Sequence, residues 1–214
     1  MTKDFTMQKS FNIIISGVGG QGLMTLLRLL SEAAFAGGFD VKTSELHGLS
    51  QRGGSVEAHI RFGADKACPV VKPRASTTGV YSPMVPVGKA DLIIALEQQE
   101  ALNGAKFANK DTVFLVNQFQ TPTLSKDISL EEIKTALAKV SKKVFFLPAS
   151  EVCQKELGRE VVSGVYLLGY AVANNFLPLK SEQLKQAIQT TMPEKFWEIN
   201  LKALGLCPAV ILSP

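Results

Sequence analysis

The sequence predicts a three-layer α/β fold, a mostly parallel sheet with helices on both faces and a helical C-terminal third. Three observations carry that prediction. Short apolar runs alternate with segments of helical period along most of the chain, the pattern of strands joined by crossover helices. The first apolar run ends in a glycine-rich turn that opens directly into a helix. The last third shows helical periodicity only.

The elements follow in order. Residues 11–16 hold Ile13, Ile14 and Ile15 in an apolar run bounded by glycine, which reads as a buried strand. Leu23, Leu26, Leu27, Leu30, Ala33 and Ala34 then recur at helical spacing until Gly37-Gly38 ends the helix. Residues 40–44 read as a second strand. In the third, Val56, Ala58, Ile60 and Phe62 alternate with Glu57, His59 and Arg61, which predicts one buried face and one polar face. His59, between Glu57 and Arg61 on that polar face, is expected to be a hydrogen-bonded structural residue rather than a base. Residues 64–80, with Pro69 and Pro73 among scattered polar residues, read as a long loop.

Beyond that loop the order is regular. Residues 91–96 form a buried strand, 98–108 a helical stretch and 112–116 another strand. Ser129-Leu130-Glu131-Glu132 is a capping box opening a helix to about Val140. Residues 144–147 give a further strand, and Ser150 is a candidate cap for the next short helix. Residues 161–175, 181–190 and 193–204 are helical, the last stopped by Gly205. With 214 residues, one domain is expected over the whole chain, with its core at about 11–150 and a helical part at about 150–205.

Composition narrows the function classes. Apolar residues make up 46% and charged residues 20%, ordinary for a globular protein. The net charge of +4 is dispersed, with no basic stripe, so nucleic acid is not an expected partner. No apolar run approaches the roughly 18 residues of a membrane span, and the N-terminus lacks the apolar core of a signal peptide. Cys68, Cys153 and Cys207 are far apart and form no C-x-x-C pair, so no zinc or iron–sulfur site is expected on this chain. A reducing cytoplasm is the expected compartment.

Two segments carry the candidate chemistry. Gly17, Gly19 and Gly22 satisfy G-x-G-x-x-G, and with Gly20 and Gln21 they form a tight Rossmann-like turn between strand and helix. Such a turn needs positive φ, and backbone N–H groups at a helix start face an anion only where no side chain intervenes. A dinucleotide fingerprint would also want a carboxylate at the end of the second strand, about 20 residues on, and Glu45 stands near there. Glu45 opens a polar, glycine-rich run, however. Ser44, Glu45, His47, Gln51, Arg52, Gly53 and Gly54 all fall within residues 44–55. Arg52 offers a fixed fork for a carboxylate or phosphate, His47 can titrate near neutrality, and Gly53-Gly54 lets a backbone approach closely.

Those strings carry a resemblance. Gly-Val-Gly-Gly-Gln-Gly, followed by Ser-Glu-Leu-His-Gly-Leu-Ser-Gln-Arg-Gly-Gly-Ser-Val-Glu-Ala-His at 44–59, closely resembles the γ-type domain of the 2-oxoacid:ferredoxin oxidoreductase family. The likeness is to the small β subunit of its indolepyruvate (arylpyruvate) branch. Ser82-Pro83, Gly88-Lys89-Ala90-Asp91, Glu97-Gln98-Gln99-Glu100-Ala101, Val116-Asn117 and Glu198-Ile199-Asn200-Leu201-Lys202-Ala203 fall where that family has similar short signatures, so the resemblance spans nearly the whole chain. The connection at 64–79 is longer than the family pattern.

The resemblance implies a division of labour. In such enzymes thiamine diphosphate attacks the 2-oxo carbon and carbon dioxide leaves. Electrons pass through iron–sulfur clusters to ferredoxin, and the acyl group goes to coenzyme A. Thiamine diphosphate and the clusters are expected on a larger α subunit, with coenzyme A as a possible co-substrate near this chain. Arg52 and Gln51 would contact that partner or a ligand anion, with Glu45 and His47 positioning the loop. No residue here is assigned a catalytic role. Two other readings are a stand-alone NAD(P)- or flavin-dependent oxidoreductase and a non-enzymatic partner-binding module.

Overall fold

The computed structural model describes residues 10–47, 53–63, 80–122 and 128–206. A six-stranded sheet has the order β2-β3-β1-β4-β5-β6, with β1 Phe11–Val18, β2 Asp40–His47, β3 Ser55–Gly63, β4 Leu92–Ala95, β5 Val113–Asn117 and β6 Lys143–Leu147. β1, β4, β5 and β6 pair in parallel, whereas β3 runs antiparallel to both β1 and β2. The mostly parallel three-layer expectation therefore holds, with one reversed strand beside the centre. Helices α1 Leu23–Ala36, α4 Ala149–Leu157, α5 Ser163–Ala173, α6 Ser181–Thr191 and α7 Trp197–Gly205 gather on one face, and α2 Glu100–Gly104 and α3 Leu130–Ala138 on the other.

Burial on both faces explains why the central strands read as unbroken apolar runs. Ile13, Ile15, Leu92, Ile94 and Leu115 point into the larger core with α1 and the C-terminal helices. Ile14, Ile93, Phe114 and Val116 point into the smaller one with α2 and α3. Helix ends follow their local signals. Gly38 takes φ 81° after α1, and the Gly38 and Phe39 amides donate to Phe35 and Ala34 carbonyls, a Schellman closure. Ser129 caps α3 in the expected box with Glu132. Ser150 does not cap α4, which Pro148 precedes; its amide instead donates to Asn117 Oδ1 at 3.1 Å. The second strand runs on through His47, beyond the expected stop at Ser44.

The polar face of β3 is covered rather than wetted. His59 is fully buried: its Nδ1 accepts from the Val85 amide at 3.1 Å, and its Nε2 lies 3.0 Å from Glu57 Oε1. The acceptor role of Nδ1 puts the ring proton on Nε2, which donates to Glu57. Lys106 Nζ lies 3.3 Å from the other Glu57 oxygen. Arg61 donates to Asn12 Oδ1 at 2.8 Å and to the Ser82 carbonyl at 3.0 Å. Together these side chains pin the backbone of residues 82–85 against the sheet. Burial opposes ionisation of Glu57, but the His59 and Lys106 hydrogen bonds and the Lys106 charge outweigh it and hold the carboxyl below its ordinary value.

Two outcomes are expected. Gly169 lies in α5 where an added Cβ would overlap the Leu204 carbonyl oxygen of α7, so Gly169→Ala should cost about 2–3 kcal/mol, read as a lower urea midpoint at constant m. The Glu57 contribution to stability is present above its unfolded pKa of about 4.5 and is lost as pH falls through its lower folded value. Glu57→Gln should therefore destabilise the protein at pH 7 and flatten the acid limb of a melting-temperature profile; an unchanged acid limb would contradict the ion cluster.

Candidate functional site

The expected glycine turn lies where β1 ends and α1 begins. Gly20 and Gly22 take φ of 107° and 81°, the left-handed region a side chain resists. Gly17 serves close approach instead: a Cβ there would sit 2.9 Å from Gln21 Oε1 and 3.1 Å from Leu96 Cβ. Gln21 closes the turn on itself, its Oε1 accepting from the Val18 amide at 2.8 Å while its own amide donates to the Val18 carbonyl at 3.2 Å. No side chain caps α1, whose N-cap is Gly22.

The structure joins this turn to the second candidate segment. The Gly19 amide donates to the Gly54 carbonyl at 2.9 Å, and the Gly53 amide to the Gly19 carbonyl at 3.4 Å. Gly53 has φ 75°, with nothing near a would-be Cβ. The connection from β2 to β3 is thus stitched onto the glycine turn just after Arg52. Gln51 and Arg52 themselves lie outside the described residues, as do residues 64–79, for which a loop was expected. Ser44, Glu45 and His47 all lie on β2, paired with His59, Ala58 and Val56 of β3. Glu45 was expected in a loop run and stands instead on a strand, lining a cleft of about 410 Å³ with Gly19, Gly20, Gly22 and Met24.

This arrangement departs from a dinucleotide site. There the carboxylate-bearing strand neighbours the first strand. Here β3 intervenes, so β2 lies two strand spacings, about 9.5 Å, from β1. Part of the turn's hydrogen-bonding capacity is also spent on Gly54.

Polar residues at the ends of β4 and β5, not among the candidates, complete the same edge. Glu97, 3% exposed, accepts from the Gln99 and Glu100 amides at 2.7 and 2.9 Å and so starts α2. Burial raises its pKa despite those bonds. Asn117 donates to the Leu96 carbonyl at 3.0 Å and to Ser150 Oγ at 2.8 Å, tying β5 to β4 and α4. Their signal was a polar residue directly after an apolar strand, within the short signatures at 97–101 and 116–117. Among the described residues no group of three or more His, Cys, Asp or Glu could hold a metal ion. Cys153 is buried, its thiol pushed up to about 11 by that burial. No described helix is long and apolar enough to cross a membrane.

Comparison with known proteins agrees with this geometry. The family model for pyruvate ferredoxin/flavodoxin oxidoreductase matches residues 12–206. Indolepyruvate oxidoreductase subunit IorB of Archaeoglobus fulgidus is 38% identical over 201 residues, 91% of this chain and 92% of that one. The γ subunit of keto/oxoacid ferredoxin oxidoreductase from Geobacter sulfurreducens superimposes with a TM-score of 0.62 at 22% identity, over 92% of this chain and 95% of that one. In 2-oxoglutarate:ferredoxin oxidoreductase from Magnetococcus marinus, solved with 2-oxoglutarate, coenzyme A and succinyl-CoA, the fold covers 93% of this chain and 30% of that longer chain, with a TM-score of 0.64 at 17% identity. With the family model spanning both the glycine turn and the segment stitched to it, the chain belongs to the pyruvate ferredoxin/flavodoxin oxidoreductase family.

Proposed function

We propose that this chain, the small subunit of a 2-oxoacid:ferredoxin oxidoreductase, serves the arylpyruvate branch and forms one wall of a site shared with a larger subunit. The observation that carries the reading is the pair of backbone bonds between Gly19 and the Gly53-Gly54 segment. They hold Gly53 and Gly54, which follow Arg52 in sequence, on the turn that borders the cleft at Glu45, at the carboxyl end of the sheet, where α/β folds bind ligands. The segment with Glu45, His47, Gln51 and Arg52 is also the part of the sequence that favours the arylpyruvate branch over the pyruvate type.

Thiamine diphosphate and iron–sulfur clusters belong on the partner in this reading. A cluster of the usual kind needs four thiolates, and Cys153 is the one described cysteine. When bound on the partner, those groups supply the decarboxylation and the path of electrons to ferredoxin. What this chain supplies is shape and charge. Its glycine turn leaves backbone open at the cleft, Arg52 presents a cation to the partner or to an anionic ligand such as coenzyme A, and Glu45 borders the cleft floor.

Co-expression with a thiamine-binding, cysteine-rich subunit tests the reading. The pair should reduce ferredoxin or a dye with indolepyruvate and coenzyme A, and neither chain should do so alone. Nicotinamide or flavin binding by this chain alone, with no gain on adding the partner, would favour the stand-alone reading instead. Arg52→Ala should lower the complex's activity at least ~10-fold, the scale of a lost charged contact in a binding site. Full activity with unchanged assembly would remove Arg52 from the site.

A further inference from the structure

A second cavity also borders the glycine turn, sharing Gly22 with the Glu45 cleft. It has a volume of about 500 Å³, shares Gln21 and Gly22 with the turn, and is walled by α1, α5, the end of α6 and the start of α7. That size suits a small ligand, and pockets for such ligands combine apolar walls with a few placed polar groups. The floor is apolar, with Leu26, Val162 and Val165 at 2%, 5% and 3% exposure. Asn200, buried in α7 and held by a 2.8 Å bond from its side-chain amide to the Phe196 carbonyl, also faces this lining.

Charge distinguishes the cavity from an ordinary packing gap. Arg28 of α1, Arg159 after α4, and Lys195 before α7 all line it, three cations brought from three separate stretches of chain. No Asp or Glu is among the described lining residues. None of the three cations is in an ion pair among the described residues, whereas Lys42, Lys106, Lys134, Lys185 and Lys202 each have a carboxylate partner. Three cationic residues around one hollow, with no carboxylate in its described lining, make a field that favours a seated anion.

We infer that this cavity is a binding site for a small amphipathic anion, with an aryl-sized apolar body on the floor of Leu26, Val162 and Val165 and an anionic head among Arg28, Arg159 and Lys195. The head is a carboxylate or a phosphate monoester, since guanidinium forks accept either. Gln21 borders the bound molecule and also closes the glycine turn through the Val18 amide, so occupancy bears on the turn's geometry. The inference stands on this chain alone and is independent of the subunit reading.

Trp197, the only tryptophan, donates its indole N–H to the carbonyl of the lining residue Met192 at 2.8 Å and so reports on the cavity. The purified full chain should show saturable changes in Trp197 fluorescence, matched by titration calorimetry, with phenylacetate or phenyl phosphate. Which of the two binds identifies the head group. Phenylacetamide, neutral, and pyrophosphate, without an apolar body, should each bind at least ~10-fold more weakly, the scale of one lost charged or apolar contact. The double variant Arg28→Ala, Arg159→Ala should weaken binding by a similar factor. So should Thr25→Glu, which puts a carboxylate at the exposed rim in the first turn of α1, where helices favour acids. Both variants should keep the wild-type circular dichroism. Equal binding of phenylacetamide or pyrophosphate, wild-type affinity in both variants, or no saturable binding by either method would overturn the inference.

Discussion

The central strand β1 sets the terms for the rest of the molecule. Ile13, Ile14 and Ile15 have no exposed surface, and they alternate between the two cores on opposite faces of the sheet. Both edges of the strand are also paired, to β3 on one side and β4 on the other. A strand enclosed in this way presents little chemistry along its length, because most of its side chains are spent on packing and most of its backbone groups on the ladder. Polar backbone emerges only at its end. There Leu96 and Gln21 crowd so close that Gly17 can carry no side chain, and Gly20 and Gly22 must bend the chain through positive φ. Turn and site are therefore consequences of the burial behind them.

The reversed strand β3 then decides what kind of site this is. By returning antiparallel beside β1 it brings Gly53 and Gly54 back onto Gly19, and it displaces the strand bearing Glu45 from the position a dinucleotide-binding sheet requires. Its outward residues do further work. Buried Glu57 and His59, with half-buried Arg61, form a polar row that clamps residues 82–85. The buried pair tolerates no missing member, since either group left alone would bear its desolvation cost uncompensated. The same strand that shapes the cleft thus anchors the chain's return to the sheet.

Function follows from what this architecture leaves open. The described part of the chain offers clefts, backbone and cations around one glycine turn, and no clustered thiolates or metal ligands. Such a surface binds and orients. That is the contribution proposed above for this small subunit.

Much of this was legible in the chain itself. The apolar run at Ile13 to Ile15, the Gly37-Gly38 stop, the Ser129 capping box and the glycine turn rest on local rules, backbone sterics and hydrogen bonds within a few residues, so the sequence by itself determined where most elements begin and end. It also marked residues 44–55 as special by composition. What it could not determine was partnership across space. Glu45 on an extended β2, the reversal of β3, the covering of His59 by Val85, and Glu97 and Asn117 organising the sheet edge all depend on which strand lies beside which. The cavity of Arg28, Arg159 and Lys195 depends on it most, because residues more than a hundred positions apart at the extremes line one hollow only after four helices pack. Local sterics act within a turn of chain, but strand order and charge convergence are set by the burial of both sheet faces at once, and only the tertiary structure resolves that.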